Sequence, residues 1–413
     1  MSIRGKLIAY LTILFNFLLF FSYLAFLADP TKAVWIAFTG LAYPIILLIN
    51  ICLCLVWLMK RKLFFLPTLL LIIAGMYHHS RFFQLNPFSK FRTENEKSIK
   101  VMSFNVTNFD LYNNWEGKTK ERIFNHIKEV QPDIICFQEY VYDKSKKDRF
   151  STREVLNKDL GYKYFHEEFT QNNGRNHFFG VATFSKYPVV SKHNIKHIKN
   201  EPAQCIWSDI VIDNDTLRVF NAYFSGLGLN HTEYKALGSN RNPIYSHMKA
   251  PIFNFLQFFK KIKKAYRKRS KEVKTTVSFI KKSPYKVVLC ADMNDTPISY
   301  SYNKLDKHLK DPFTYSGFGF GGTLNFKYLF ALRSDYIWHD KKLTSKNYTT
   351  HESELSDHKS ISVKINLPWL EFIFLIHLFL VNINWFGTFV KSQTGSSLAL
   401  QEESPDSIER HAS

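Results

Sequence analysis

Three apolar runs dominate the first 80 residues of the chain. Residues 7–27 contain no charge, residues 33–59 are interrupted only by one proline and one asparagine, and residues 63–77 form a shorter run. An α-helix rises about 1.5 Å per residue, so the first two runs are long enough to cross a hydrocarbon layer of about 30 Å. The pattern predicts a transmembrane anchor of two or three helices within residues 1–80.

Basic residues flank these runs unevenly. Arg4 and Lys6 precede the first run and a Lys-Arg-Lys cluster at 60–62 follows the second, whereas the loop between the two runs is nearly neutral. Such clusters stay in the cytosol. If the third run also spans, the protein is multi-pass in a bacterial inner membrane and everything after His79 lies on the periplasmic face. Because Arg81 follows the third run, a two-span protein with a cytosolic domain stays open.

From residue 98 the pattern changes to short β-rich runs separated by polar loops. Two stretches, 118–129 and 253–282, have the residue spacing of helices. Alternation of this kind predicts a layered α/β (α+β) domain over residues 98–366, after a linker at 81–97. The strand-like runs are 99–105, 134–138, 180–185, 206–212, 217–224, 286–291, 335–338 and 359–365.

A further apolar run at residues 367–390 contains one glutamate, one histidine and two asparagines. Each of these side chains is costly to place in hydrocarbon. The run is therefore predicted to be an amphipathic element on a surface first and a span second. Residues 391–413 are rich in Ser and Gln with mixed charge, which is typical of a disordered tail.

Composition narrows the partners only in part. The formal net charge of +20 suits nucleic acid or anionic lipid, but basic residues beside membrane spans explain it equally well. The five cysteines are spread over apolar runs and strands and form no disulfide framework. Residues 260–274 hold nine basic residues and one acid. They predict a strongly positive helix, which either follows phosphates or is simply solvated.

Polar side chains recur at the ends of the apolar strands, where an open sheet gathers a site. Those at C-terminal ends are Asn105, Glu139, Asp292 and Asn294, and the pair Asp357 and His358 opens the last strand. Each one alone has an ordinary explanation, because acids and asparagines often cap turns and helices. Their joint arrangement is what predicts a single site.

The first four of these residues suit the hydrolysis of a phosphate ester, which needs a cation and a base. Mg²⁺ favours carboxylate and amide oxygens, and Glu139 with Asn105 offers both. Mn²⁺ is the alternative ion. Asp292 is the candidate base for the attacking water. Asn294 lies two residues further along an extended segment, so it projects to the same side and can orient that water or hold the phosphate.

His358 is a candidate partner for phosphate oxygens, either as a hydrogen-bond donor or as an acid. It needs a carboxylate that fixes its tautomer and raises its pKa. Asp335 and Asp357 are both candidates for that role.

Over residues 98–366 the chain resembles the endonuclease/exonuclease/phosphatase superfamily, and its apolar N-terminus resembles that of a membrane-bound bacterial branch. The resemblance depends on segments in the order VMSFNVTNFD, PDIICFQE, GVATFSKYPVV, LRVFNAYFSGL, VVLCADMNDTPISYSY, RSDYIW and LSDHKSI. It implies a four-layer α/β/β/α sandwich, in which two β-sheets lie face to face with helices outside. It also implies a Mg²⁺-dependent phosphoric ester hydrolase.

The resemblance also implies roles for individual residues. Glu139 is the principal metal ligand, Asn105 lies beside the metal and the phosphate, and Asp357 lies near the metal. Asp292 activates water with help from Asn294, and Asp335 orients His358 against the phosphate. Asn221 and Arg333, which lie in two of the matching segments, are candidate substrate-binding residues.

Tyr223 departs from the family pattern. Many members carry a histidine at this position, whereas abasic-site endonucleases resemble this chain in having tyrosine. A phenol can donate a hydrogen bond to a phosphate oxygen but cannot act as an imidazolium near neutral pH. Tyr223 is therefore a candidate catalytic residue, and the alternative is an ordinary strand tyrosine with an exposed hydroxyl.

Two functions of different classes remain open at this point. The first is a phosphoester hydrolase tethered to the lipid bilayer, with nucleic acid, phospholipid headgroup or sugar phosphate as substrate and no predicted protein partner. The second is a non-catalytic membrane protein that binds a phosphorylated ligand through an inherited pocket. Tyr223 favours the second, whereas joint retention of the acids and His358 favours the first.

Overall fold

The computed structural model describes residues 2–86, 98–111, 118–144, 152–172, 176–195, 203–228, 255–325, 332–352 and 354–367. The helices are α1 Ile3–Leu24, α2 Val34–Leu41, α3 Tyr43–Met59, α4 Phe65–Ala74, α5 Met76–His79, α6 Lys118–Val130, α7 Thr152–Glu154 (followed by a π-helical turn, Val155–Asp159), α8 Phe255–Lys281, α9 Tyr300–Asp306 and α10 Phe313–Ser316. The predicted elements at 368–390 and 391–413 lie outside the described residues.

The strands are β1 Phe83–Leu85, β2 Ser98–Asn105, β3 Ile134–Asp143, β4 Tyr164–Asn172, β5 His177–Ser185, β6 Val189–Ile195, β7 Gln204–Ile212, β8 Asp215–Tyr223, β9 Lys286–Asp292, β10 Leu309–Lys310, β11 Phe318–Phe320, β12 Asp335–Asp340, β13 Thr344–Thr350 and β14 Ile361–Asn366. Every strand-like run named from the sequence falls on one of them, at times with a shifted boundary. The two predicted helical stretches correspond to α6 and α8.

Among the apolar helices, α1 is long and apolar enough to cross a membrane. The second apolar run differs from the single helix that the sequence predicts, because it breaks at Ala42 into α2 and α3, which are bent by 64°. Pro44 lies in the first turn of α3. Its missing N–H costs nothing there, whereas it would break a helix that continued from α2. The third run gives α4, which has only 10 residues.

Polar side chains join α1 to α3. Trp57 Nε1 donates to Thr12 Oγ1 over 2.8 Å, and Asn50 Nδ2 donates to the carbonyl oxygen of Phe15 over 3.0 Å. Since residue numbers fall along α3 as they rise along α1, the two helices run antiparallel. The basic residues Arg4 and Lys6, at the start of α1, and those after α3 are therefore at the same end of this helix group.

Two six-stranded sheets form the centre of the domain that follows the apolar helices. One sheet has the order β13-β14-β2-β3-β5-β4 and the other has the order β10-β12-β9-β8-β7-β6. The pairs β2/β3 and β8/β9 are parallel, and the other pairs in these two sheets are antiparallel. The sheets face each other, because β3 contacts β8 and β2 contacts β9.

Helices cover the outer faces of both sheets. On the first sheet α6 packs Ile123 and Ile127 into the apolar cluster of β2, β3 and β5. On the second sheet α8 packs Val273, Val277 and Ile280 against β8 and β9. These residues recur at helical spacing, and each side chain buried in this way stabilises the fold by about 1.5–3 kcal/mol. The predicted four-layer α/β/β/α architecture is confirmed.

The predicted linker at 81–97 contains ordered structure in its described part. Phe83–Leu85 forms β1, which pairs antiparallel with β11. Arg81 is buried, and its Nη2 lies 2.9 Å from Asp306 Oδ2 on α9. The helical region also meets the domain at α8, where Lys274 Nζ lies 2.6 Å from Asp29 Oδ2.

Candidate active site

The ends of the central strands bring the predicted residues to one edge of the two sheets. Asn105 ends β2, Tyr223 ends β8 and Asp292 ends β9. Tyr223 and Asp335 are the cross-strand partners of Asp292 in β8 and β12. Parallel strands place their carboxyl ends at the same edge, so the two central parallel pairs determine where these side chains meet.

Glu139 reaches this edge through a β-bulge. Phe137 and Tyr140 of β3 pair with Ala182 and Gly180 of β5, which leaves one extra residue on β3. Glu139 has a φ of 48°, a conformation that costs a non-glycine residue about 1–3 kcal/mol. Its Oε1 accepts hydrogen bonds from Asn105 Nδ2 at 3.3 Å and from the Tyr223 hydroxyl at 3.1 Å. The strained backbone thus aims this carboxylate at the site.

Asp292 is the centre of a hydrogen-bond network. Its Oδ2 accepts from Asn105 Nδ2 at 2.9 Å and from Asn294 Nδ2 at 3.2 Å. Its Oδ1 accepts from the backbone N–H of Asn294 at 2.9 Å, which closes an Asx turn. Asn294 has a φ of 51°, and this conformation is well tolerated by asparagine. The sequence Asp-x-Asn therefore folds locally into a unit that presents one carboxylate and one amide.

His358 is held between two carboxylates. Its Nδ1 lies 2.9 Å from Asp335 Oδ2, and its Nε2 lies 3.9 Å from Asp292 Oδ2. Asp335 is fixed in turn by the hydroxyl of Ser334, which donates to the same oxygen over 2.7 Å. The hydroxyl oxygen of Thr323 accepts the backbone N–H groups of Ser334 and Asp335. Of the two carboxylates proposed to orient His358, Asp335 is the one in hydrogen-bond contact with the ring.

Burial and neighbouring charges shift the pKa values of Asp292 and His358. Burial raises the pKa of Asp292 to about 7, against the opposing effect of His358. Burial alone would lower the pKa of His358, but the charges of Asp335 and Asp292 more than compensate and hold the pKa well above its usual value. Both groups therefore have the shifted pKa values that are typical of residues at functional sites.

Asp357 is tied to the site through Thr107, which sequence reasoning missed. The Thr107 hydroxyl donates to Asp357 Oδ1 and lies 2.7 Å from Ser356 Oγ. Thr107 is the first of four consecutive residues with positive φ. Left-handed backbone is rare for a β-branched residue, so nothing in the letters VTNFD indicates this turn. Asn105 helps to hold it, because its Oδ1 accepts the Thr107 N–H over 3.0 Å.

Asn221 and Arg333 do not join this group. Asn221 is fully buried between the sheets, where its Nδ2 donates to the carbonyl oxygens of Phe137 and Ala182 and its Oδ1 accepts from Gln138. Arg333 is fully buried as well, and Nη1 and Nη2 both bind Asp311. Both side chains are committed to internal contacts, which indicates structural roles in place of the predicted substrate-binding roles.

The chemistry of the site fits a divalent cation. One hydrogen-bond network contains the carboxylates of Glu139, Asp292 and Asp335, and Asp357 joins it through Thr107. Among the described residues, the buried Oδ1 of Asp335 has no hydrogen-bond partner. Ligand atoms of Asp292, Asp335 and His358 lie within 4.8 Å of one another. Hard oxygen ligands of this kind suit Mg²⁺ or Mn²⁺.

The two facing sheets with an acidic centre at one edge define a hydrolase fold. Residues 102–358 match the sequence profile of the Endonuclease/Exonuclease/phosphatase family. The chain belongs to this family, and the resemblance noted from its motifs is confirmed. Residues 5–82 match the profile of a domain of unknown function, DUF8431. No curated protein shows significant similarity to the chain.

Several solved structures are similar to the chain at low identity. The catalytic domain of human Nocturnin is 18% identical, with 65% of this chain and 93% of that chain covered and a TM-score of 0.45. An endonuclease/exonuclease/phosphatase from Beutenbergia cavernae is 15% identical, with coverages of 66% and 72% and a TM-score of 0.47. One from Bacteroides vulgatus is 15% identical, with coverages of 66% and 100% and a TM-score of 0.46. The family assignment depends on the sequence match.

Proposed function

We propose that this protein is a membrane-tethered phosphoester hydrolase that depends on a divalent metal ion. The observation that supports the proposal most directly is that Asp292 is linked to Asn105, Asn294 and His358, while Glu139 joins the same network through Asn105. A base, a charged donor and hard metal ligands thus lie within one hydrogen-bond network. Hydrolysis of a phosphate ester requires these three components.

In this proposal Glu139 and Asn105 hold the ion, with Asp357 close to it. The Nδ1 of His358 is already bonded to Asp335, which favours a proton-handling role for these two residues over metal ligation. Bound Mg²⁺ or Mn²⁺ supplies positive charge that offsets the charge on the phosphoryl oxygens.

The reaction follows from the placement of Asp292. Asp292 takes a proton from water while the water oxygen forms a bond to phosphorus. The bond between phosphorus and the leaving oxygen breaks, that oxygen takes up a proton from solvent, and Asp292 returns its proton to solvent after the product leaves. Asn294 orients the water or the phosphate, and protonated His358 donates a hydrogen bond to a phosphate oxygen.

A non-catalytic phosphate-binding protein is the less favoured alternative. A site that only binds a ligand needs neither a base with a pKa near 7 nor a carboxylate that aligns a histidine. Both features are present here, together with Glu139. Tyr223 is compatible with catalysis as well, since its hydroxyl donates to Glu139 and so belongs to the network.

Membrane tethering is supported by α1 and by the distribution of charge. Most of the large exposed apolar side chains in the described part of the chain lie between residues 3 and 77. The antiparallel packing of α1 and α3 puts the basic residues at one end and the contacts with the domain at the other. Arg81, whose charge weakened the topology argument, is buried against Asp306. We therefore place the domain on the periplasmic face of a multi-pass inner-membrane protein.

The test is turnover by the full chain in detergent. We expect hydrolysis of bis(p-nitrophenyl) phosphate with Mg²⁺, loss of activity with a chelator, and recovery when Mg²⁺ or Mn²⁺ is restored. A panel of DNA, sphingomyelin and inositol phosphates would sort the substrate classes. Absence of turnover on every phosphoester, together with no Mg²⁺ binding by calorimetry, would restore the non-catalytic alternative.

Glu139→Gln is expected to weaken Mg²⁺ binding at least about tenfold, because an amide oxygen replaces a charged ligand while shape is kept. Calorimetric titration of Mg²⁺ into the full chain measures this change. Glu121→Gln, an exposed position on α6, is the matched control and should bind as the wild type does. Unchanged affinity in Glu139→Gln would move the ion to the group of Asp292, Asp335 and His358.

Tyr223→Phe is expected to lower kcat about tenfold with little effect on folding. The variant removes one hydroxyl, which donates to Glu139 over 3.1 Å, and leaves the ring in place. Steady-state kinetics on bis(p-nitrophenyl) phosphate report the change. Tyr285→Phe, at an exposed ring remote from this edge, serves as the comparison. Equal activity in both variants would assign Tyr223 a purely structural role.

A further inference from the structure

A cavity of about 310 Å³ lies beside the candidate active site and is called the lysine cavity below. Gly226 and Leu227, in the loop after β8, form one wall. Lys261, Lys264 and Lys268 on α8 form the other. The volume is at the lower end of the range for small-ligand sites. It can therefore receive the part of a substrate that extends beyond the scissile phosphate.

Two contacts connect the lysine cavity to the active site. Tyr223 lines the cavity, and its hydroxyl donates to Glu139 over 3.1 Å. A β-carbon placed on Gly226, on the loop wall, would lie 3.3 Å from Asn294 Oδ1. The lysine cavity therefore adjoins the active site at Tyr223 and Asn294, so a substrate bound at the active site can extend toward it.

Buried polar contacts hold the lysine-bearing helix in place. Glu272 accepts hydrogen bonds from the N–H and the hydroxyl of Ser225 over 2.9 and 2.5 Å. Arg269 Nη2 donates to the carbonyl oxygen of Ser225 over 2.8 Å. All three residues are buried. The two walls of the cavity are thus bonded to each other, which holds this part of α8 against the loop that follows β8.

The charge of the lysine cavity selects an anion. Lys261, Lys264 and Lys268 are three and four residues apart, so they share one face of α8. Their ammonium groups give this wall of the cavity positive charge, which attracts anions. Among the described residues that line the cavity, none is acidic. Lysine ammonium groups bind phosphate as point charges, which makes a phosphate group the natural occupant.

The loop wall of the lysine cavity is continuous with the apolar helices. Leu227 packs in one cluster with Ala37 and Phe38 of α2. The Phe38 ring also meets Phe259 and Tyr266 of α8, with ring centroids 5.4 and 6.3 Å apart. The cavity therefore lies where the helices of the proposed membrane anchor meet the domain, within reach of a headgroup at the bilayer surface.

A two-stranded ribbon of exposed apolar side chains also favours a position of the lysine cavity near the bilayer surface. The strands β1 and β11 expose Phe83, Leu85, Phe318 and Phe320 by 39 to 71%. β1 begins only four residues after α5 ends, so the ribbon must lie close to the anchor. Exposed aromatic and aliphatic side chains beside a membrane helix favour the interfacial layer of the bilayer.

We propose that the lysine cavity binds a second anionic group of the substrate, and that the substrate is a membrane phospholipid whose headgroup carries this group in addition to the scissile phosphate. The proposal rests on the proposed hydrolase function and narrows its substrate class. The lysines act as specificity residues: they bind the second group while Asp292 and His358 act at the first.

The first test compares two lipids that differ by one phosphate. Full-length protein is assayed in phosphatidylcholine vesicles that contain phosphatidylglycerol or phosphatidylglycerol phosphate. We expect kcat/KM to be at least about tenfold higher for the second lipid. The triple variant Lys261→Gln/Lys264→Gln/Lys268→Gln is expected to reduce this ratio to near one. The matched control Lys263→Gln/Arg267→Gln/Lys271→Gln removes the same charge from exposed positions outside the cavity and should keep the ratio.

Three results would overturn the proposal. The first is that the cavity variant leaves the ratio of the two kcat/KM values unchanged. The second is that the control variant lowers this ratio as much as the cavity variant does, which would indicate an effect of surface charge alone. The third is a preference for duplex DNA, or for soluble glycerol 1,3-bisphosphate, over both lipids. A preference for duplex DNA would identify a nucleic-acid groove, and a preference for glycerol 1,3-bisphosphate would identify a site for free phosphates.

A binding measurement separates this proposal from the proposed hydrolase function. Glycerol 1,3-bisphosphate is titrated calorimetrically into full-length protein in nanodiscs, where no turnover is needed. We expect affinity to fall at least about tenfold in the cavity variant and to stay within twofold in the control. If wild-type protein hydrolyses no phosphoester but shows this pattern, the catalytic proposal fails and the anion site stands. If all three proteins bind equally, the anion site fails.

Discussion

Asp292→Asn is expected to lower kcat about 10³-fold, because it removes a carboxylate that Asn105, Asn294 and His358 all approach. A positioned base contributes about 10²–10⁴-fold to a proton-transfer step. The substitution keeps size and shape, so the fold is expected to persist. Turnover of bis(p-nitrophenyl) phosphate by the full chain measures the loss.

The control for this variant is Asp215→Asn, at the start of β8 and away from the active-site edge. It should have nearly wild-type activity. Circular dichroism of both variants checks that the fold is retained. A loss of kcat of less than tenfold in Asp292→Asn would contradict the role of Asp292 as the base. It would indicate that another carboxylate at the active-site edge is the base.

The pH dependence gives a second signature for the same residue. Asp292 accepts a proton only when it is ionised, and burial raises its pKa to about 7. The wild-type kcat/KM is therefore expected to rise with pH up to about 7 and to level off above it. Residual activity in Asp292→Asn should lack this acidic limb, because the group that titrates there is gone.

The sequence predicts the centre of the fold better than its edges. β2, β3, β8 and β9 are buried apolar runs and each was predicted close to its observed position. β4, β6 and β13 were missed. They carry polar residues, as in EEFTQN, VVSKHN and TSKNYTT, and each is an edge strand of its sheet. Edge strands face water and need no apolar run, so the pattern that finds central strands does not find them.

The active-site edge was predictable for a similar reason. An acid or amide that directly follows a buried strand must emerge at the end of the sheet, and this applies to Asn105 and Asp292. The predicted roles of these residues remain proposals. Residues that act through backbone conformation were not predictable. The β-bulge at Glu139 and the left-handed turn at Thr107 depend on φ values that the surrounding tertiary structure imposes.

Asn221 and Arg333 illustrate the limit of reasoning from motif position. Both occupy segments that contribute to the active-site edge, and both side chains point into the protein. Asn221 precedes Tyr223 by two residues and so lies on the same face of β8, but further inside, where it bonds to the opposite sheet. Spacing along a strand predicts on which face of the sheet a side chain lies. How far the residue is from the end of the strand decides whether that side chain reaches solvent.

Asp311→Ala is expected to destabilise the domain by about 3–5 kcal/mol, because it leaves the charge of Arg333 buried without its partner. Both side chains are completely buried, and the two carboxylate oxygens lie 2.5 and 2.7 Å from Nη1 and Nη2 of Arg333. Asp311 also accepts the hydroxyl of Tyr302 and the N–H of Phe313. Its removal therefore breaks four hydrogen bonds at once.

For a domain of this size the loss corresponds to a fall of roughly 10 °C in the unfolding midpoint. Thermal unfolding of the full chain in detergent, followed by near-ultraviolet circular dichroism, measures it. Glu352→Ala is the matched control, because Glu352 pairs with Lys359 at an exposed site where an ion pair contributes at most about 1 kcal/mol.

The same variant separates the two roles considered for Arg333. If Arg333 acts structurally, Asp311→Ala lowers the unfolding midpoint and lowers kcat through the neighbouring Asp335, while KM changes little at temperatures where the domain is folded. If Arg333 bound substrate, freeing it from Asp311 would also change KM at temperatures where the domain is folded. An unshifted midpoint would therefore contradict the structural role, because no other acidic side chain among the described residues contacts the Arg333 guanidinium in an ion pair.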